Sequence, residues 1–285
     1  MNRNSFETIK NLDKSDSRIK IKLEENKKIH EAVVKNLEVT ETKRIQSCLN
    51  NVKPRNKIAL TSLIVADHPN YVISASKSIK TIINNTKGLN FDKIIIEVES
   101  KPLKEESKKM LLNAGWDFVC SVKHVNSIDD SRFLGHYRET YTKLITMNMT
   151  EYEGIVNMDT DILYFIAVAQ DTEADGKPRD RFNSGVFSVR PNSTEFSRLM
   201  LLRDRNSSHV SLEHGEQTFI NYWYKDKWFR FDFKFNGIVW ILQNYGWDLK
   251  KLDIDVRVFH FTSLKPWNCI PQAVEICKLW SDIPV

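Results

Sequence analysis

Apolar residues recur along the first half of the chain with two spacings, which predict alternating strands and helices. Short apolar runs predict buried strands at 58–65, 93–98, 118–122 and 154–158. Between these runs, apolar residues three and four positions apart predict helices at 72–84, 103–114 and 136–149. This alternation is typical of a parallel α/β sheet flanked by helices.

The order of the elements is less regular after residue 180. Apolar runs predict strands at 185–189 and 256–261, and helical spacing predicts helices at 193–205, 214–224 and 271–282. No internal repeat is visible. The sequence therefore predicts a mainly parallel central sheet followed by a mixed C-terminal half.

Residues 1–55 differ from the rest, since they are rich in Lys, Asn, Glu and Ser. Ile29, Val33 and Leu37 form a stripe that predicts one amphipathic helix over 22–40, and the first 18 residues have the composition of a disordered segment. The stripe needs a partner, either the body or a second copy of the chain. With Pro54 at the boundary, we expect an N-terminal extension over 1–55 and a separate folded domain over 56–285.

The net charge of +5 belongs to this extension. Residues 1–57 hold 14 Lys and Arg against 8 Asp and Glu, whereas the remainder holds 28 against 29. A neutral body argues against nucleic-acid binding as the main function. The composition, 41% hydrophobic and 28% charged, excludes wholesale disorder.

The expected compartment is the cytoplasm. The N-terminus lacks the apolar stretch of a signal peptide, and no window approaches the length of a membrane span. The four cysteines, at positions 48, 120, 269 and 277, form no CxxC pair. We therefore expect buried or free thiols in a reducing compartment, rather than a zinc ribbon or a disulfide framework.

Two acids, Asp159 and Asp161, follow the strand predicted at 154–158. The chain has no GxGxxG, GxxxxGK[ST] or GxSxG motif, so a nucleotide phosphate would need another partner. Ligands of open α/β sheets bind at the carboxyl ends of strands, and two neighbouring carboxylates there favour a cation such as Mg²⁺ or Mn²⁺. The pattern alone is weak, because Asp253 and Asp255 repeat it without the apolar run and are better explained as a solvated turn.

Four further segments make the pattern specific when taken in order. They are Tyr-Thr-Lys-Leu at 141–144, Phe-Asn-Ser-Gly-Val-Phe at 182–187, Glu-His-Gly-Glu-Gln at 213–217 and His-Phe-Thr-Ser-Leu-Lys-Pro-Trp at 260–267. From about residue 57 to 268 the chain resembles glycosyltransferase family 8 and its glycogenin-like members. The resemblance implies that the domain over 56–285 is a catalytic domain with the GT-A (Rossmann-like) fold. It also implies a UDP-sugar donor, Mn²⁺ or Mg²⁺, a homodimer and transfer with retention at the anomeric carbon.

The resemblance also implies roles for individual residues. Asp159, Asp161 and His260 match the metal ligands, and Glu216, Gln217 and Lys143 are the candidate catalytic groups. The implied donor-binding set adds the stretch that holds uridine and the residues around the sugar and the diphosphate: Leu63, Val65, Ala66, Tyr71, Thr160, Asn183, Ser184, Glu213, Asn236, Ser263 and Lys265. The self-glucosylated tyrosine of the family falls near Gln243, so Tyr245 is the possible acceptor.

The chain departs from the family pattern at three places. Ser263 stands near the position of a glycine that approaches the phosphate, with one residue fewer before Lys265. Glu216 replaces an aspartate, which moves the carboxylate by about an ångström. The segment between Asp161 and Phe182 is short, which favours an open acceptor cleft.

Each candidate also has a purely structural explanation. His260 could be a hydrogen-bonded core histidine, and Lys143 a solvated helix lysine. Asn183 could belong to a tight turn, Tyr71 to the core, and Glu213 to a helix N-terminus. The segment Lys265-Pro266-Trp267 could be a packed turn.

Three functions remain open from sequence. The first is an active UDP-sugar-dependent hexosyltransferase, with glucose as the expected sugar and a protein Tyr or a glycan as acceptor. The alternative is a catalytically inactive nucleotide-sugar or carbohydrate-binding module of the same fold. Nucleic-acid binding through the basic extension is disfavoured, because that segment lacks interleaved aromatic residues.

Overall fold

The computed structural model shows an α/β protein. It describes residues 53–125, 139–164, 170–172, 178–205, 215–225, 228, 236–239, 258–262 and 264–285. The helix predicted over 22–40 and the second Asp-x-Asp motif lie outside the described residues, as does the remainder of the N-terminal extension before residue 53.

Ten strands and five α-helices are described. The strands are β1 Ile58–Ile64, β2 Asp92–Val98, β3 Phe118–Val122, β4 Gly154–Met158, β5 Ile162–Tyr164, β6 Gln170–Thr172, β7 Pro178–Phe182, β8 Val186–Val189, β9 Gly237–Ile238 and β10 Val258–His260. The α-helices are α1 Pro69–Asn85, α2 Glu105–Ala114, α3 Ser193–Arg205, α4 Glu216–Trp223 and α5 Val274–Ser281. Two 3₁₀ helices span Thr140–Asn148 and Pro271–Ala273.

The central sheet has five strands in the order β3-β2-β1-β4-β8. The pairs β3–β2, β2–β1 and β1–β4 are parallel, and β8 adds antiparallel to β4. The strand order reverses between β1 and β4, and ligands of open α/β sheets bind beside the carboxyl ends of strands at such a point. Asp159 directly follows β4 and therefore lies at this position.

Alternation along the strands divides the core between the two faces of the sheet. Leu60 and Ile64 of β1 pack with α1 and α2, whereas Ala59 packs on the other face with Ile145 of the first 3₁₀ helix. Successive strand side chains point to opposite faces, so both faces of β1 are buried. This explains why the predicted strands appear as continuous apolar runs rather than as alternating ones.

Two smaller sheets lie outside the central one. In the three-stranded sheet, β10 lies between β5 and β9, antiparallel to β5 and parallel to β9. The strands β6 and β7 form an antiparallel pair. Because β5 begins just after Asp161 and β10 ends at His260, the register that pairs His260 with Ile162 brings the histidine beside the acids.

One expectation is confirmed in its described part and another is wrong. The segment predicted as a helix at 136–149 contains a helix over Thr140–Asn148, which is a 3₁₀ helix, a tighter form that apolar spacing does not distinguish from an α-helix. The expectation of free thiols is wrong for the described cysteines, since Cys269 and Cys277 form a disulfide and Cys120 is disulfide-bonded as well.

The disulfide follows from a local reversal of the chain. The 3₁₀ helix Pro271–Ala273 leads into α5 and brings the Cα atoms of Cys269 and Cys277 to 6.2 Å although they are eight residues apart. Disulfides persist in oxidising compartments, so the cysteine content no longer supports the cytoplasmic location, which stays a prediction. None of the described helices is long and apolar enough to cross a membrane.

Candidate functional site

The link between β4 and β5 carries the two acids and is fixed by its backbone. The N–H of Asp159 donates to the carbonyl of Gly185 at 2.7 Å, and the carbonyl of Asp161 accepts from the N–H of Phe261 at 3.0 Å. The hydroxyl of Ser78 on α1 donates to the carbonyl of Thr160 at 3.0 Å. Three elements therefore hold the link, so the carboxylates project from a rigid turn.

His260 lies between the two carboxylates. Its Nε2 is 3.7 Å from Asp159 Oδ2 and 3.7 Å from Asp161 Oδ1. One ligand atom from each of the three residues lies within 4.8 Å of the others, and in the described part of the chain no other group of three or more His, Cys, Asp or Glu does so. The three side chains thus converge on one point, as metal ligands do.

Each of the two acids contacts a lysine through one of its carboxylate oxygens. Lys143 Nζ lies 2.7 Å from Asp159 Oδ1. Lys265 Nζ contacts Asp161 Oδ2 and donates to the carbonyl of Phe261 at 3.1 Å. Each carboxylate therefore has one oxygen on a lysine and the other turned toward His260.

Burial and neighbouring charges shift the pKa values of His260, Asp159 and Lys143. Burial lowers the pKa of His260 to about 4, so its ring is neutral near pH 7. Although 26% of the Asp159 side chain is exposed, its surroundings displace enough water to raise its pKa to about 6 against the opposing effect of Lys143. Burial lowers the pKa of Lys143, but Asp159 and Glu216 outweigh it and the net shift is upward. At neutral pH the site therefore holds carboxylates, a neutral imidazole and ammonium groups.

Glu216 and Gln217 begin α4 and contact the segment before β8. The buried Glu216 Oε1 accepts from Lys143 Nζ at 3.1 Å and from the hydroxyl of Ser184 at 2.8 Å. Gln217 Oε1 accepts from the N–H of Ser184 at 3.0 Å. Lys143 is therefore a buried link between Asp159 and Glu216, and the solvated lysine that was the alternative is excluded.

A second set of hydrogen bonds lies behind His260. Asn183 Oδ1 accepts from the N–H of Gly185 at 2.9 Å and from Asn236 Nδ2 at 3.2 Å. Asn236 Oδ1 lies 3.0 Å from His260 Nδ1. The Asn-Ser-Gly segment is therefore a turn that also supports the histidine.

The stretch expected to hold uridine lies at the carboxyl end of β1. Leu63 packs into the core, Val65 is partly buried and Ala66 is exposed. The ring of Tyr71 meets that of Trp267 edge-on, with centroids 5.1 Å apart. Tyr71 lies in the first turn of α1 and Trp267 follows Lys265 by two residues, so this contact joins the start of α1 to the segment that carries the lysine.

The structure thus brings together Asp159, Thr160, Asp161, Lys143, Asn183, Ser184, Glu216, Gln217, Asn236, His260 and Lys265. Glu213, Tyr245 and Ser263 lie outside the described residues. Sequence reasoning missed the support that Asn236 gives to His260, since 24 residues separate them and no local pattern links them. It also missed the ring contact of Trp267, which only the folded chain creates.

Comparison with known proteins supports the class that the sequence motifs resemble, the glycosyltransferases. No protein-family profile matches the chain. It is 26% identical over 182 residues to inositol phosphorylceramide glucuronosyltransferase 1 of Arabidopsis thaliana, covering 60% of this chain and 31% of that protein. It is 27% identical over 189 residues to human glycogenin-1, covering 60% and 53%. The chain spans about a third or less of the length of the first three curated relatives it matches.

Solved structures show the fold. The glycosyltransferase GlyE of Streptococcus pneumoniae aligns with 80% of this chain and 61% of that chain, at a TM-score of 0.55 and 17% identity. An active-site mutant of LgtC aligns with 78% and 95%, at a TM-score of 0.53 and 13% identity. The protein therefore has the GT-A glycosyltransferase fold. Its sequence is similar to those of glycosyltransferases, glycogenins among them, which confirms the resemblance predicted from the motifs.

Proposed function

We propose that the protein is a metal-dependent, retaining glycosyltransferase that transfers a hexose from a UDP-sugar to a protein Tyr or a glycan acceptor. The observation that supports this most strongly is the convergence of Asp159, Asp161 and His260 at the sheet edge, with a lysine on each acid. The similarity to glycosyltransferases and the GT-A fold support the same reaction class.

The ligand set fits a divalent cation. Asp159 Oδ2 and Asp161 Oδ1 both face His260 Nε2, while the remaining oxygens of the acids contact lysines. A neutral imidazole provides a nitrogen lone pair, and Mg²⁺ prefers all-oxygen coordination with several waters. We therefore propose Mn²⁺ ahead of Mg²⁺. When bound, the cation would stabilise the negative charge of the departing diphosphate.

The charges around the site suit a diphosphate only when that cation is present. Asp159, Asp161 and Glu216 contribute three negative charges, and Lys143 and Lys265 contribute two positive ones, while His260 is neutral. The net charge of −1 would repel a diphosphate, whereas a divalent cation reverses the sign. Lys265 is 29% exposed and is the lysine better placed to turn toward the phosphate.

The contacts of Glu216 support a role in positioning Lys143 rather than in nucleophilic attack on the sugar. Its Oε1 is held by Lys143 and Ser184 in a site where the residue is 2% exposed. Glu216 thus orients Lys143, while the amide nitrogen of Gln217 remains for the sugar because its Oε1 accepts from Ser184. Retention at the anomeric carbon is part of the proposal and is read from the anomeric configuration of the product by proton NMR.

The test is release of UDP from a UDP-sugar in the presence of Mn²⁺. UDP-glucose is the proposed donor, and UDP-glucuronate is run beside it because two of the relatives are named UDP-glucuronate:xylan α-glucuronosyltransferases. We expect Asp159→Asn and Asp161→Asn to lose turnover, since each removes a charged ligand. Asp253→Asn in the second Asp-x-Asp motif is the matched control and should keep activity. Full activity in both site variants would contradict the proposal.

The alternative of an inactive binding module is separated by the same samples. Such a module would bind UDP with Mn²⁺ in calorimetry but release none from any UDP-sugar in the presence of protein or glycan acceptors. The complete set of acids, histidine and lysines favours turnover.

For the acceptor, we propose that Tyr245 of one copy receives hexose from the site of a second copy in a homodimer. The intact mass should rise by hexose units after incubation with UDP-glucose and Mn²⁺, and Tyr245→Phe should remove that gain while sparing slow donor hydrolysis. Hexose on another residue, or none beside an active donor site, would exclude self-glucosylation and favour an external acceptor.

A further inference from the structure

A chain of four polar groups runs from the backbone just before β8 to the ring of His260. The N–H of Gly185 donates to Asn183 Oδ1 at 2.9 Å. The same oxygen accepts from Asn236 Nδ2 at 3.2 Å, and Asn236 Oδ1 lies 3.0 Å from His260 Nδ1. Asn236 has no exposed surface and His260 is 3% exposed, so water does not compete for these groups.

The donor and the acceptor of every hydrogen bond in this chain of polar groups follow from the first one, which the N–H of Gly185 donates. A backbone N–H can only donate, so the Asn183 atom that meets it must be the carboxamide oxygen. That oxygen has a second lone pair, and the atom of Asn236 facing it must therefore be the NH₂ group. The other end of the Asn236 carboxamide is then an acceptor, and it requires a proton on His260 Nδ1.

The two acids, Asp159 and Asp161, favour the other tautomer of His260. A neutral histidine next to Asp159 and Asp161 is stabilised when its proton is on Nε2, the nitrogen that faces both carboxylates at 3.7 Å. A proton there would occupy the lone pair that a metal ion needs. A metal-binding His260 would therefore need a group on the other side of its ring that holds the proton on Nδ1.

We propose that Asn236 is a positioning residue that keeps His260 in the Nδ1-protonated tautomer, and that Gly185 and Asn183 set the orientation of its amide. This inference rests on the proposed function, because the Nδ1-protonated tautomer leaves the Nε2 lone pair free for the metal ion proposed above. Both ends of the Asn236 amide are engaged in the structure, so its task differs from the donor contact that the family resemblance implies.

The tautomer can be measured without metal or donor, by ¹⁵N NMR of histidine-labelled full-length protein at neutral pH. The chain has seven histidines, and the resonance missing in His260→Gln identifies His260. In the wild type we expect a protonated Nδ1 and an unprotonated Nε2. In Asn236→Leu the proton should move to Nε2, and Mn²⁺ affinity measured by EPR of the free ion should fall about 10- to 100-fold.

Two further variants keep the test decisive. Asn183→Leu leaves Asn236 intact but removes the acceptor that orients its amide, so His260 should populate both tautomers; this variant decides if Asn236→Leu does not fold. Asn157→Leu is the matched control, since Asn157 is equally buried, bonds Thr61 in the central sheet and lies outside the chain of polar groups. It should leave the tautomer and the Mn²⁺ affinity unchanged.

The outcomes separate this inference from the proposed function. A wild-type protein with the proton on Nε2, or folded Asn236→Leu and Asn183→Leu variants that keep it on Nδ1, would overturn the inference and leave the metal site untouched. A wild type that shows the Nδ1 proton and the expected shifts in the variants, but binds no Mn²⁺, would support the tautomer assignment and contradict the metal site.

Discussion

The backbone of Gly185 lies against the imidazole ring of His260, so closely that a Cβ at this position would meet the ring Cε1 at 2.0 Å and Nδ1 at 2.6 Å. The glycine is needed for space rather than for backbone conformation, because the positive φ values among described glycines belong to Gly88, Gly115 and Gly215. The turn before β8 and the end of β10 therefore approach each other only because residue 185 lacks a side chain.

This contact predicts the effect of Gly185→Ala. The added methyl group must displace the ring, which is buried and bonded to Asn236, so the His260 nitrogen moves away from the acids. We expect Mn²⁺ affinity to fall about 10- to 100-fold, measured by calorimetry. Gly154→Ala is the control, since its Cβ meets only the flexible end of Ile58 at 3.2 Å, and it should bind normally. Equal affinities in the two variants would contradict the geometry.

A second prediction concerns Lys143, which links Asp159 and Glu216 at 6% exposure. Lys143→Met leaves the buried carboxylate of Glu216 and the partly exposed one of Asp159 without their cation, and should lower the free energy of unfolding by about 3 kcal/mol in urea titration. Adding Glu216→Gln should restore part of that loss, because it neutralises one of the stranded charges. Strictly additive losses in the double variant would show that the two residues do not interact.

Lys265 should contribute to the binding of the diphosphate rather than to the binding of the metal ion. Lys265→Met removes a positive charge from the site but leaves His260 and both acids in place. UDP affinity in the presence of Mn²⁺ should therefore drop, while Mn²⁺ affinity without UDP should be unchanged or higher, because Asp161 loses a competing cation. Calorimetry with each ligand separates the two effects, and the opposite order of losses would assign Lys265 to the metal site.

The disulfide between Cys269 and Cys277 predicts a measurable loss of stability on its removal. It closes a short loop beside the cluster that contains Phe261 and Leu264, just after the segment carrying Lys265. Replacing both cysteines with serine should cost about 2–3 kcal/mol in chemical unfolding. Alkylation of urea-unfolded wild type without reductant, followed by peptide mapping, should leave Cys269 and Cys277 unlabelled; labelling of both would contradict the bond.

The central sheet was predictable from sequence because its strands are buried on both faces. The apolar runs at 58–65 and 154–158 correspond to strands at Ile58–Ile64 and Gly154–Met158, since a parallel sheet needs continuous apolar strands between helical layers. The helix predicted at 136–149 is present over Thr140–Asn148, but its 3₁₀ form was not predictable, because apolar spacing reports which side is buried and not how tightly the backbone is wound.

The site was predictable where local motifs carry it and not where distant segments meet. Asp159 and Asp161 follow an apolar run and are visible in any scan for paired acids. The bonds from Asn236 to Asn183 and His260 join segments 53 and 24 residues apart, and the bond to His260 depends on the pairing of β9 with β10. The Cys269–Cys277 bond was missed for a related reason, since the turn between them leaves no recognised cysteine spacing.

The proposed function depends most on a divalent cation held by Asp159, Asp161 and His260. The most direct measurement is anomalous diffraction at the manganese absorption edge from crystals grown with Mn²⁺ and UDP. We expect one strong anomalous peak within bonding distance of Asp159 Oδ2, Asp161 Oδ1 and His260 Nε2, with the UDP diphosphate on its open side. UDP bound in the same crystals without a peak between these three residues would contradict it.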